Sequence, residues 1–343
     1  MIFKRSFQIY SFFLIALLFT CCKNKKSVDV SNIDLQIKIE RFDRDMGSLN
    51  SANVSRNAPQ LARKYGMFYQ DYMSGMLSAG AATDTAYYQN LRAILSNPDY
   101  KALQAAVNEK FKDLSPQEQE LTDAFKHVRY YFPKQPVPRV ISFFSGFAVQ
   151  VPVGNDYIGI GLDMFLGADS KFYPALRQSI PQYISRRFTP ANITPRVMES
   201  FLREDMFPEP DDLKTFLDRM VYNGKIMYLM NAVMPKVPDS VIIGYTEAQQ
   251  KWCEKYEADV WGFFLQENLL YETDYMKVQK YLSEAPFTPG IGNGNESAPK
   301  LGIYAGWQIV KRYMEENPEV TPLQLMEDRN YQEILNRSHY KPK

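Results

Sequence analysis

Phe216-Leu-Asp-Arg-Met-Val-Tyr-Asn-Gly-Lys-Ile-Met-Tyr-Leu-Met-Asn-Ala-Val-Met-Pro235 is apolar almost all the way round a helix. Leu217, Met220, Val221, Gly224, Met227 and Tyr228 recur at helical spacing, and Ile226, Leu229, Met230 and Val233 fill most of the opposite face. A helix with that distribution is buried on several sides. Arg219, Asn223, Lys225 and Asn231 argue against a membrane span, and Pro235 ends the run. The expectation is a central core helix with the other elements packed around it.

Its clearest partner lies near the C-terminus. In Gly302-Ile-Tyr-Ala-Gly-Trp-Gln-Ile-Val-Lys-Arg-Tyr-Met314, Ile303, Trp307, Val310 and Met314 form a stripe. Gly302 and Gly306 leave room for another backbone, expected to be that of the central helix. Thr194-Pro195 opens a helix running through Arg203. Ser115-Pro-Gln-Glu118 reads as a capping-box start with Pro at the first helical position. Leu121, Phe125 and Val128 then face inward, with His127 as a structural histidine. Thr246-Glu-Ala-Gln249 reads as a second box, ahead of one helix carrying Trp252, Tyr256, Val260 and Phe263. Thr321-Pro322 caps a last helix. Residues 58–113 are mostly helical, with Tyr65, Phe68, Tyr69 and Tyr72 as a core stripe and a break at Ala79–Thr83.

Strand signals are fewer. Ile33-Asp-Leu-Gln-Ile-Lys-Ile-Glu40 alternates strictly, as a half-buried strand does. Arg139–Phe144 is strand-like. Ala148–Val151 and Tyr157–Gly161 read as a pair turned through Gly154-Asn-Asp156. The fold class is therefore α+β, predominantly helical, with a small, mainly antiparallel sheet. Without repeats, and without a linker after residue 33, residues 33–343 form one globular domain.

The first twenty residues read as an export signal: Lys4 and Arg5, then the apolar run Phe12–Phe19. Leu18-Phe-Thr-Cys21 looks like a bacterial lipobox, with Cys21 as the acylated residue and Cys22 as the alternative acceptor. Residues 21–32 are then the anchor and a polar tether, and acyl chains on one cysteine hold a protein on a membrane. The formal net charge of +1 falls to −1 once Lys4 and Arg5 are removed, and nothing in it points to nucleic acid. Cys253 remains as a small buried thiol.

Chemistry is scarce. The two histidines, His127 and His339, cannot form His-Glu-x-x-His. Gly159-Ile-Gly161 lacks the third glycine and the frame of a dinucleotide fingerprint. There is no Walker loop and no Gly-x-Ser-x-Gly. Asp211-Asp212 and Glu315-Glu316 read as solvated faces. No cofactor and no metal are expected, although a carboxylate-only site stays open. The turn-rich stretch Pro286–Pro299 has a length that is often functional.

Several stretches taken in order resemble the gliding-motility lipoprotein GldB family of the Bacteroidetes. They are Ile39-Glu-Arg-Phe-Asp43, Tyr130-Tyr-Phe-Pro133, Ile160-Gly-Leu-Asp-Met-Phe-Leu-Gly167, Pro181-Gln-Tyr-Ile184, Asn223-Gly-Lys-Ile-Met-Tyr228, Ile243-Gly-Tyr-Thr246, Asn295-Glu-Ser297 and Gly306-Trp-Gln-Ile-Val310. The resemblance implies a lipid-anchored envelope protein, facing the periplasm, that serves gliding and the linked type IX secretion machinery. It implies partners among other envelope proteins of that apparatus and no enzymatic activity.

The order of elements also resembles predicted zinc peptidases with zincin-like folds, which would make this a degenerate zincin-like architecture. That second resemblance places Met198, Glu199 and Leu202 where His-Glu-x-x-His would fall, and Asn223 at the third ligand. Met and Leu cannot replace imidazole on zinc, so it implies a lost site. The favoured reading is a binding protein whose groove lies between the central helix and the 286–299 loop, near Tyr245, Glu296, Tyr304 and Trp307. Core packing is the competing role for each of these. Two other functions stay open: an envelope hydrolase using Glu199, and a chaperone-like module whose exposed aromatics hold exported chains.

Overall fold

A computed structural model describes residues 28–343. The expected export signal, Cys21 and Cys22 lie outside those residues. The central helix runs Phe216–Val233, and thirteen of its eighteen residues are buried. Its start is fixed locally. The Asp218 amide donates to Thr215 Oγ1 at 3.2 Å, and the Thr215 amide donates back to Asp218 Oδ2 at 2.9 Å, a reciprocal box that satisfies two orphan donors. Helix Leu301–Glu316 lies against it more intimately than any other element. A Cβ on Gly306 would come within 1.9 Å of the Met220 carbonyl oxygen, and one on Gly224 within 2.3 Å of the Gly306 oxygen. The two backbones touch because neither glycine carries a side chain. Gly302 instead accommodates the Phe216 ring and the Tyr281 carbonyl.

Three strands, β1 (Ile39–Arg41), β2 (Arg139–Phe143) and β3 (Tyr157–Gly161), form a sheet in the order β1-β2-β3. Both pairings are parallel, which corrects the antiparallel expectation. The Gly154–Asp156 turn does form, but it supports a single antiparallel bridge, Val153 to Ile158. Pro152 has no amide to donate, so the preceding segment cannot build a ladder. It runs along the outer edge of β3 instead, with the Gly159 and Gly161 amides donating to the carbonyls of Pro152 and Gln150 at 2.8 and 2.9 Å. The true partner of β3 is β2, reached through the 144–156 crossover. All five residues of β3 are buried, as suits a parallel strand covered on both faces.

A separate aromatic core covers one side of the sheet. Phe42 packs edge-on against Tyr65, Phe68 and Tyr72 at centroid distances of 4.9, 5.1 and 4.8 Å, and Phe143 and Tyr157 close the cluster. Tyr65, Phe68, Tyr69 and Tyr72 are all buried, as their spacing predicts.

Two helix starts differ in detail. Ser115 begins its helix, but its amide is held by Asp113 at 2.9 Å, and Glu118 accepts the Ile39 amide of β1 at 3.0 Å instead of closing a box. The expected single helix after Thr246 breaks at Tyr256 into Glu247–Lys255 and Glu257–Gln266. A further helix, Tyr331–Ser338, follows the one Thr321 caps. No helix of the described residues is long and apolar enough to cross a membrane.

Candidate functional site

Helix Ile193–Ser200 continues into a π-helical turn, Phe201–Met206, an irregularity that recurs at functional sites. One face of this segment carries Arg196, Glu199 and Arg203 toward the central helix. The Arg196 guanidinium donates to Glu199 Oε2 and, through Nε, to Gln150 Oε1 at 3.2 Å. Arg203 Nε donates to Glu199 Oε1 at 3.1 Å, and its Nη1 donates to Asn223 Oδ1 at 3.0 Å. Glu199 and Asn223 thus meet through Arg203. Met198 and Leu202, on the other face, are fully buried in the main core. The two positions assigned to lost zinc ligands therefore do not share a site with Glu199. Among the described residues, no three His, Cys, Asp or Glu side chains gather as a metal-binding group.

Beside this face lies a cavity of about 350 Å³. Its second charged group comes from Arg187, Glu284 and Lys300. Arg187 Nη2 lies 2.9 Å from Glu284 Oε1, and Lys300 Nζ donates to the same oxygen at 2.7 Å. Ile184, Phe188, Met227, Ile242, Ile243, Leu282 and Ile303 supply the apolar wall.

Lys300 is delivered with care. It precedes helix Leu301–Glu316 in a left-handed conformation, φ 54°, which costs a non-glycine residue on the order of 1 kcal/mol. Tyr245 fixes the approach: its hydroxyl donates to the Pro299 carbonyl at 2.6 Å. Thr288 and Ser297 tie the ends of the 286–299 loop through buried hydroxyl bonds.

Electrostatics follow from the count. Burial pushes the Glu199 carboxyl up, but Arg196 and Arg203, with Lys300 and Arg187 behind them, outweigh that and hold it at about 2. Burial lowers Lys300, opposed by Glu284 and assisted by Arg187.

The expected groove residues divide. Tyr245, Tyr304 and Trp307 are buried. Tyr304 donates to Glu257 at 3.1 Å, and Lys311 sits 3.8 Å over the Trp307 ring. Glu296 is exposed and lines a different cavity, of about 310 Å³, with Trp252, Tyr256 and Phe263. Among the described residues, Asn223 and Met227 of the central helix line the 350 Å³ cavity, and Gly290 to Asn293 and Glu296 of the loop line the 310 Å³ one. The sequence reading missed Arg187, Arg196, Arg203, Glu284 and Lys300. Only the Arg196, Glu199, Arg203 spacing carried a local signal.

Fold and site together define a mainly helical α+β protein with a basic cavity beside its central helix. The chain belongs to the gliding motility protein GldB family, whose sequence model matches residues 23–342. No curated protein and no solved structure matches.

Proposed function

We propose that the chain is an envelope lipoprotein, acylated at Cys21 or else Cys22 and facing the periplasm. In this reading it serves gliding and the linked type IX secretion machinery by binding other envelope proteins, and it catalyses no reaction. The family match over residues 23–342 carries this reading. Glu199 supports its non-catalytic part. A carboxylate held at about 2 between two guanidinium groups is a poor base, because general bases work best with a pKa near the operating pH. The zincin-like ancestry remains part of the proposal and is not needed for it. The chaperone alternative loses its best surface, since Tyr65, Phe68 and Tyr72 are fully buried.

The test is genetic and chemical. Deleting the gene should abolish colony spreading, and the intact chain should restore it. A Cys21→Ser, Cys22→Ser double variant should lose fatty-acid labelling and fail to restore spreading. A deletion strain that spreads normally would overturn the motility assignment.

A further inference from the structure

In the cavity beside the central helix, every carboxylate is shared. Arg196 and Arg203 both bind Glu199, while Arg187 and Lys300 both bind Glu284. Four cations against two carboxylates leave its walls with a net charge of +2. Side-chain exposures of 15% for Arg187 and 9% for Lys300 put much of that excess out of reach of bulk water, where an unbalanced charge is costly. Burial, with Arg187 adding repulsion, lowers the neighbouring Arg186 as it lowers Lys300.

Three guanidinium groups present planar forks suited to a carboxylate or phosphate. Ile184, Phe188, Met227 and Ile242 line the same cavity and form apolar surface that an inorganic ion alone would leave uncovered. The volume, about 350 Å³, falls at the small end of ligand sites.

We propose that this cavity binds a small organic anion, its carboxylate or phosphate head between the two cation pairs and its short apolar tail against Ile184, Phe188, Met227 and Ile242. Glu199 and Glu284 hold the cations apart and in place, so the head meets a preformed cradle. Lys300 is the group the fold strains its backbone to supply. The site stands apart from the motility assignment, since ligand binding and colony spreading are measured separately.

Calorimetry on the full chain in a non-ionic detergent tests it with two acids and their neutral counterparts: N-acetylleucine against N-acetylleucinamide, and butyl phosphate against butanol. At least one acid should bind, about tenfold or more tighter than its counterpart, and the tighter acid identifies the head. Lys300→Met and Arg187→Gln should each weaken that acid about tenfold or more. Either variant suffices, provided its thermal melt stays cooperative. Failure of both acids at about 10 mM, a range that covers even weak ligands, would overturn the proposal. So would neutral counterparts that bind as well as the acids, or folded variants that bind as the parent does.

Discussion

Gly306 lies against the Met220 carbonyl so closely that a Cβ there would come within 1.9 Å of the oxygen. The obstacle is backbone at the middle of the central helix, so no side-chain rotation relieves it. Gly306→Ala should therefore destabilise the protein by about 1–3 kcal/mol or more, the range for overpacked cores. Urea unfolding followed by tryptophan fluorescence measures it. Gly262→Ala is the control, since a Cβ there meets nothing within 4 Å; it should leave the midpoint unchanged or raise it.

Glu199 holds two arginines, and its carboxyl lies at about 2 rather than the usual 4.5. A lowered carboxylate contributes stability that is present above the unfolded value and lost as pH falls through the folded one. Glu199→Gln should thus cost about 2 kcal/mol at pH 7, allowing for solvent at the cavity mouth. The gap between parent and variant should close as pH drops from 4.5 toward 2. Denaturant midpoints at several pH values read both quantities, and a gap independent of pH would contradict this account.

The sequence was legible where structure is local. The Thr246–Gln249 box forms as spaced, with bonds of 2.9 and 3.1 Å, because both partners sit within one turn. The central helix was legible because burial of thirteen of its eighteen residues spreads apolar side chains over most of its faces. Glu118 shows the limit: its spacing suited a cap, but its carboxylate binds Ile39 and Lys38, about eighty positions away. Strand direction was hidden for the same reason. Nothing in Tyr157–Gly161 says that its ladder partner is Arg139–Phe143 rather than the nearer segment before the turn. The cavity was the least legible feature. Arg187, Glu284 and Lys300 meet only through tertiary folding, and no motif links them.

Cys253 should behave as an inert thiol. It is 1% exposed, and burial, outweighing the nearby Tyr245 hydroxyl, pushes it up to about 12. Reactivity needs the thiolate. In a Cys21→Ser, Cys22→Ser background, Cys253 is the remaining thiol. Ellman's reagent should give no release from the native protein and about one equivalent in denaturant. Fast labelling of the native chain would mean that the Tyr245 environment opens.

Asp163 should make stability fall with rising pH. Its Oδ2 accepts the amides of Ser145 and Phe147 at 3.1 and 2.7 Å, while Oδ1 is buried without a partner. Burial, outweighing those amides, raises the carboxyl from 3.8 to about 6. A raised carboxyl contributes stability that is fully present below 3.8 and lost as pH climbs through 6, amounting to about 3 kcal/mol. Asp163→Asn keeps an acceptor for the two amides and removes the titration. Relative to that variant, the parent should lose stability between pH 4 and 6.5 and then level off. Parent and variant curves that run parallel across this window would show that the Asp163 carboxyl titrates at its ordinary value.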